Sequence, residues 1–103
     1  MLGILEEKQA KNVVVLRLSR VADFTNYFII CTAESMPQVK AIAEEVAFRL
    51  PRKGCLGREG FPASSWVLLD YGDFILHIFL PETRKFYALE RIWADAPSET
   101  VAR

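Results

Sequence analysis

Hydrophobic and polar positions along the chain change period several times, and each change marks an element. The longest patterned stretch is Trp66-Val67-Leu68-Leu69-Asp70-Tyr71-Gly72-Asp73-Phe74-Ile75-Leu76-His77-Ile78-Phe79-Leu80-Pro81. It reads as two β-strands joined by Gly72-Asp73, a short hairpin connection. Glycine at the first loop position suits a type II′ turn, where φ must be positive. With that loop, Tyr71 faces Phe74, and pairing counted outward sorts the side chains onto two faces. Val67, Leu69, Tyr71, Phe74, Leu76 and Ile78 share one; Trp66, Leu68, Asp70, Ile75, His77 and Phe79 share the other. A one-residue slip would exchange them. The first face is apolar almost throughout and belongs against the core. The second is too apolar for water, yet it holds an Asp and the chain's only His, so it wants a cover from the fold or from a partner.

The remaining elements follow from the same reading. Residues 2–10 suit a short helix, with Leu2 and Leu5 on one side, which is too short to stand alone and must dock. Residues 12–18 and 26–33 are β-branched or apolar on both faces, as in strands of a sheet covered on both sides. Ser35-Met36-Pro37-Gln38 opens the clearest helix: Ser35 caps, Gln38 completes a capping box, and Pro37 is tolerated in the first turn. Val39, Ile42, Ala43, Val46 and Leu50 form its buried stripe, and Pro51 ends it. Residues 54–65 read as loop with a short strand near Leu56. Pro81-Glu82-Thr83 starts a final helix, with Phe86, Leu89 and Trp93 on one side, Ile92 beside them and Pro97 as its close. The polar residues 98–103 are expected to be a disordered tail. The order predicts one layered α/β domain over residues 1–97, a mixed β-sheet flanked by helices.

Composition narrows the functions open to such a domain. A chain of 103 residues makes one domain, and 51% apolar with 25% charged residues is globular composition. Thirteen Lys+Arg against thirteen Asp+Glu leave no net charge to draw it to nucleic acid or a membrane surface. No apolar run approaches the ~18 residues of a membrane span. The start, Met1-Leu2-Gly3-Ile4-Leu5-Glu6-Glu7-Lys8, turns acidic too early for a signal-peptide core. Cys31 and Cys55 make no disulfide framework, so a reducing cytoplasm is expected.

Candidate chemistry is sparse. Asp70 and Asp73 resemble a paired-carboxylate metal site, but Asp73 is a turn residue and the two fall on different hairpin faces. Cys31, His77 and Asp70 have the residue types of a nucleophile, base and orienter. Asp70 and His77 do share a face, but nothing places Cys31 beside them, and no nucleophile elbow is present. The Ala33-Glu34-Ser35 turn lacks glycine and carries a repelling carboxylate where a phosphate loop would sit. Neither a Walker motif, nor G-x-G-x-x-G, nor metal-finger spacing occurs. No enzyme, cofactor or metal is expected. What stands out is aromatic: Trp66, Phe79 and Trp93 lie near element ends, where interface anchors sit. A polar pair in an apolar surface suits a binding patch, so Trp66, Leu68, Asp70, His77 and Phe79 are the expected partner-binding face. His77 would serve there as a contact or a pH-sensitive group.

The stretch Trp66-Val67-Leu68-Leu69-Asp70-Tyr71-Gly72-Asp73, with His77, Phe79 and Pro81 after it, resembles the signature of the Iojap family, the ribosomal silencing factors. Three further segments agree in order. They are Phe24-Thr25-Asn26-Tyr27-Phe28-Ile29-Ile30-Cys31-Thr32, Gln38-Val39-Lys40-Ala41-Ile42-Ala43, and Phe86-Tyr87-Ala88-Leu89-Glu90-Arg91-Ile92-Trp93-Ala94-Asp95-Ala96-Pro97. The resemblance implies a nucleotidyltransferase-like fold without catalysis. It also implies binding to the large ribosomal subunit through the ribosomal protein numbered fourteen (L-fourteen), which blocks joining of the small subunit when nutrients are short. A homodimer is implied when the protein is free. The Gly-Ser opening and Asp-x-Asp of nucleotidyltransferases are missing here, which argues against two-metal phosphoryl chemistry. Asn26 stands where the family usually has Asp, and Thr32-Ala33-Glu34-Ser35 replaces a turn that normally carries Gly or small polar residues. The expectation is a non-enzymatic translational repressor with the partner face above, and Tyr71, Tyr87 and Glu90 as second candidates. The alternatives are a divergent nucleotide-binding, nucleotidyltransferase-like enzyme and a homodimeric adaptor with a non-ribosomal partner.

Overall fold

In the computed structural model, which describes residues 1–51 and 54–102, the hairpin pairs in the register its loop demands. Strands β4 (Trp66–Asp70) and β5 (Phe74–Phe79) match Trp66 to Phe79, Leu68 to His77 and Asp70 to Ile75. The Tyr71 amide donates to the Phe74 carbonyl at 2.9 Å. Gly72 has φ of 82°, and Asp73 is not among the positive-φ residues, the combination a type II′ loop requires.

Around the hairpin lie α1 (Leu2–Glu7), β1 (Lys11–Arg17), β2 (Tyr27–Thr32), α2 (Met36–Arg49) and β3 (Gly57–Glu59) before it, and α3 (Pro81–Tyr87), α4 (Leu89–Ile92) and β6 (Ser98–Ala102) after it. The six strands form one sheet in the order β3-β4-β5-β2-β1-β6. Every neighbouring pair is antiparallel except β2 with β5. That pair is parallel because α2, β3 and β4 intervene, and parallel strands need a long crossover. The sheet is therefore mixed, as the element order predicts.

Both faces of the sheet are buried. On one, Val67, Leu69, Leu76 and Ile78 of the hairpin join Ile29 and Cys31 beneath α1 and α2. Val39, Ile42, Ala43 and Val46 of α2 are completely buried there; each of the larger three contributes about 1.5–3 kcal/mol. The cap forms as the sequence implies, with one difference. The Gln38 amide donates to Ser35 Oγ at 3.3 Å, but Gln38 Oε1 accepts from the Glu34 amide at 2.7 Å rather than from the cap residue's own. Gln38 Nε2 donates to the carbonyls of Lys8 and Gln9 at 3.2 and 2.9 Å, which fastens the end of α1. On the other face, Phe28, Ile30, Ile75 and Phe79 lie with Leu16 and Leu18 beneath Leu89 and Ala96. The second hairpin face thus finds much of its cover in the C-terminal part of its own chain.

Two expectations need correction. The final helix is not continuous: Ala88 adopts the left-handed conformation, φ 46° and ψ 55°, and splits it into α3 and α4. The turn still closes, since the Ala88 amide donates to the Arg84 carbonyl at 2.8 Å. The break removes Phe86 from the line of Leu89 and Trp93, and Phe86 is 80% exposed. The second concerns the tail. Residues 98–102 are not disordered but form β6, antiparallel to β1 from Leu16↔Ser98 to Val13↔Ala102; Arg103 lies outside the described residues. An open edge of β1 offers unpaired N–H and C=O groups, and backbone pairing takes them without any apolar side chain.

A candidate partner-binding face

Trp66 stands at the start of β4, half-buried, and its Nε1 donates to His77 Nδ1 at 3.1 Å on the neighbouring strand. The two are diagonal neighbours across the ladder, the separation that long side chains bridge. The indole also stacks on Phe79, with ring centres 4.9 Å apart, and meets Tyr87 of α3 at 4.6 Å. Tyr87 touches Phe86 at 5.0 Å. Toward the sheet interior, His77 makes an edge contact with Phe28 at 4.5 Å; Trp93 and Phe24 lie about 6 Å from Phe28 and 5.9 Å from each other. An aromatic band therefore runs from Phe86 through Tyr87, Trp66, His77 and Phe28 to Trp93 and Phe24. Its middle is buried and its two ends are open, Tyr87 being 44% and Phe24 55% exposed.

The expected site residues divide across this band. Trp66 and Leu68 are half-buried on its face, and Tyr87 lies in its open part. His77 is 3% exposed and Phe79 fully buried, so neither offers area to a partner; Leu89, Ala96 and Trp93 supply the cover. They back Trp66 instead of standing beside it. Asp70 is occupied by the turn, its Oδ1 accepting the Gly72 amide at 2.8 Å. Tyr71 stacks on Phe74 at 5.3 Å on the opposite hairpin face, away from the band. Glu90 is paired with Arg84 at 3.1 Å. Phe24 and Phe86 are contributors the pattern of positions did not reveal, since one fell in a connection and the other in a helical stripe. The quoted segments contain both, but only spatial closeness to Trp93 and Tyr87 shows what they share.

The catalytic readings do not assemble. Cys31 sits opposite Ile78 in the β2·β5 ladder, on the α2 side of the sheet, whereas His77 pairs with Ile30 and faces the other way. Burial pushes the Cys31 thiol up to about 12, so it stays protonated and inert. Burial likewise pushes the His77 imidazole down to about 4, which keeps it neutral at pH 7. Because Trp66 donates to Nδ1, the proton of the neutral ring belongs on Nε2, a buried atom with no hydrogen-bond partner among the described residues. The ring's one accepting lone pair, on Nδ1, is already taken by Trp66. Asp73 accepts from Asn26 Nδ2 as Asp70 accepts from Gly72, so the two carboxylates do not converge. Among the described residues no group of three or more His, Cys, Asp or Glu is placed to hold a metal. A cleft of about 670 Å³ opens beside α3, where Lys11, Arg84, Lys85 and Arg91 are nearly balanced by Glu34, Glu82 and Glu90. Such a mixture gives no single-sign field for a phosphate.

Over residues 1–103 the chain matches the family model described as ribosomal silencing factor during starvation. It is 36% identical over 94 residues to the ribosomal silencing factor RsfS of Bacillus subtilis, covering 89% of this chain and 80% of the relative. It is 35% identical over 94 residues to the chloroplastic protein Iojap of Arabidopsis thaliana, covering 90% of this chain and 40% of that longer protein. A crystal structure of a protein from Chromobacterium violaceum has the same fold, with a TM-score of 0.84 and 31% identity over 99% of this chain and 87% of the other. With the whole length matched in sequence and the same sheet found in a solved relative, the chain belongs to the ribosomal silencing factor family.

Proposed function

We infer that this protein is a non-enzymatic translational repressor of the cytoplasm. It binds the large ribosomal subunit through the ribosomal protein numbered fourteen and, when nutrients are short, keeps the small subunit from joining by occupying the shared face. The observation that carries this reading is the aromatic band, with the hydrogen-bonded Trp66 as anchor and Leu68 and Tyr87 beside it. Large aromatic side chains in a partly desolvated setting with an open rim are what dominate protein–protein binding energy. The balanced charge supports a protein contact over an RNA one, since RNA binding draws heavily on phosphate neutralisation. Blocking by occupancy needs no catalytic group, which accords with Cys31 and His77 facing opposite sides of the sheet. When free, the protein self-associates and shields its exposed apolar residues.

The test is co-sedimentation of the purified protein with isolated large and small subunits, followed by a subunit-joining assay. Binding to the large subunit alone, with joining reduced and both effects weakened in a folded Trp66→Ala variant, is the expected result. Binding to neither subunit would refute the reading. The rival nucleotide-binding reading has one observation in its favour: the cleft beside α3 lies at the carboxyl end of the parallel β2·β5 pair, where α/β sheets hold ligands. Incubation with nucleoside triphosphates and Mg²⁺ separates the two, because only the rival expects tight binding or transfer.

A further inference from the structure

The elbow made by α3 and α4 is held in an unusual way. α3 buries none of its residues, and Leu89 is the only buried residue of α4. Short helices in proteins are ordinarily fixed by packing of an apolar face, but in α3 only the half-open contact of Tyr87 with Trp66 is of that kind. The cleft of about 670 Å³ beside it shows that apolar packing does not fill the gap on that flank either. Yet Phe86 and Tyr87 hold defined places in the aromatic band.

Arg84 supplies the missing tie. Its side chain is only 12% exposed. Nη1 donates to the Asn12 carbonyl at 2.6 Å and to Thr32 Oγ1 at 2.8 Å, while Nε and Nη2 both donate to Glu90 Oε2, at 3.3 and 3.1 Å. One guanidinium thus joins α3 to the start of β1, the end of β2 and α4. The β1·β2 ladder shifts register between Lys11 and Val14, and Asn12 has φ of 49°; the bulge leaves the Asn12 carbonyl outside the regular ladder, where Arg84 takes it. Among the described residues, the other carboxylate oxygen of Glu90 is buried without a hydrogen-bond partner, and the tie to Arg84 is the one hydrogen-bonded anchor of that side chain.

We propose that Arg84, together with Glu90, is a positioning pair for the partner face. It spans the left-handed break at Ala88 and sets the angle at which Phe86 and Tyr87 meet Trp66. The proposal rests on the reading of the aromatic band as the surface that meets the large subunit. A preset elbow spares the protein the ordering of α3 on binding, which raises affinity without adding a contact. Lysine cannot replace the arginine, because a point ammonium on a flexible stem does not serve Asn12, Thr32 and Glu90 together as a planar fork does.

The test compares Arg84→Lys, Glu90→Gln and the double variant with the wild type in the full chain. Amide hydrogen exchange is read over residues 81–93 and over the sheet, and affinity for purified large ribosomal subunits is read by co-sedimentation. Exchange in 81–93 is expected to rise at least tenfold with β2, β4 and β5 unchanged, and affinity is expected to fall about tenfold. The double variant should be no worse than Arg84→Lys alone, since that change already removes the tie that Glu90→Gln weakens. Affinity lost with exchange unchanged would mean that Arg84 or Glu90 touches the partner directly, and would overturn the proposal. Unchanged exchange with unchanged affinity would overturn it as well. If Arg84→Lys does not fold, Glu90→Gln decides alone, because it leaves the bonds to Asn12 and Thr32 in place. Failure of the wild type to bind large subunits would remove the ribosomal reading, while the exchange comparison would still decide whether the pair holds the elbow.

Discussion

Acidification should unlock the aromatic band through His77. The ring is 3% exposed and its pKa lies at about 4, against 6.5 for an exposed imidazole, with burial as the cause. The folded-state value is depressed, so the unfolded chain binds the proton more readily. Stability is therefore full above pH 6.5 and is lost as pH falls toward 4. Linkage with these two values gives a loss of about 2 kcal/mol by pH 5 and somewhat over 3 kcal/mol at the lower limit. Against a domain stability of about 5–15 kcal/mol this is large. The chemistry at the ring points the same way, because a proton on Nδ1 would set two donors against each other across the 3.1 Å bond from Trp66. Urea unfolding at pH 7, 6 and 5 measures the loss above the range where ordinary carboxylates titrate. An NMR titration of the single imidazole measures its pKa directly. A stability that is flat from pH 7 to 5, or an imidazole titrating near 6.5 in the folded protein, would refute the account.

Four further outcomes are expected. Trp66→Phe keeps the ring but strands His77 Nδ1 without its donor, so denaturant unfolding should show a loss of about 1–3 kcal/mol. Trp66→Ala should in addition weaken large-subunit binding by about 2 kcal/mol, measured on the folded variant. Phe86→Ser should leave thermal stability within about 0.5 kcal/mol, because the ring is mostly exposed, while co-sedimentation shows weaker binding. Ala88→Gly removes a Cβ from a left-handed residue and should raise the melting point, by a stabilisation of about 0.5–1 kcal/mol; a lowered melting point would mean the conformation is not strained.

The elements legible from sequence were those fixed by local rules. Gly72-Asp73 determines the hairpin register, and the register sorts every side chain from Trp66 to Phe79 onto its face. Ser35, Pro37 and Gln38 mark the start of α2 because they answer the free amides of its own first turn. The break at Ala88 had no such mark, since nothing in Tyr87-Ala88-Leu89 carries the Gly or Asn that usually signals a left-handed residue. It accompanies Arg84's contacts with Asn12 and Thr32, residues 72 and 52 positions away. β6 was hidden for a related reason: Ser98-Glu99-Thr100-Val101 lies exposed, so its pairing leaves no apolar alternation to read. His77 and Phe79 were assigned to the correct face, but its cover by Leu89, Ala96 and Trp93 depends on how a distant segment folds back.

The break at Ala88 bears directly on the candidate surface. Had the last helix run straight, Phe86 would have joined Leu89 and Trp93 over the sheet, and burying it would have added about 1.5–3 kcal/mol. The chain forgoes that gain, keeps a residue in a left-handed conformation, and holds the elbow with an ion pair whose arginine is largely buried instead of an apolar stripe. Breaking such a pair by changing one partner is costly, but an intact one adds little net stability over well-packed hydrophobic residues. Stability alone therefore does not account for the arrangement. Its consequence is to bring Phe86 and Tyr87 into the open beside a Trp66 already oriented by His77. An exposed aromatic rim around a fixed anchor recovers the forgone burial when a partner covers it, which is the physical ground for reading the band as the working surface of this fold.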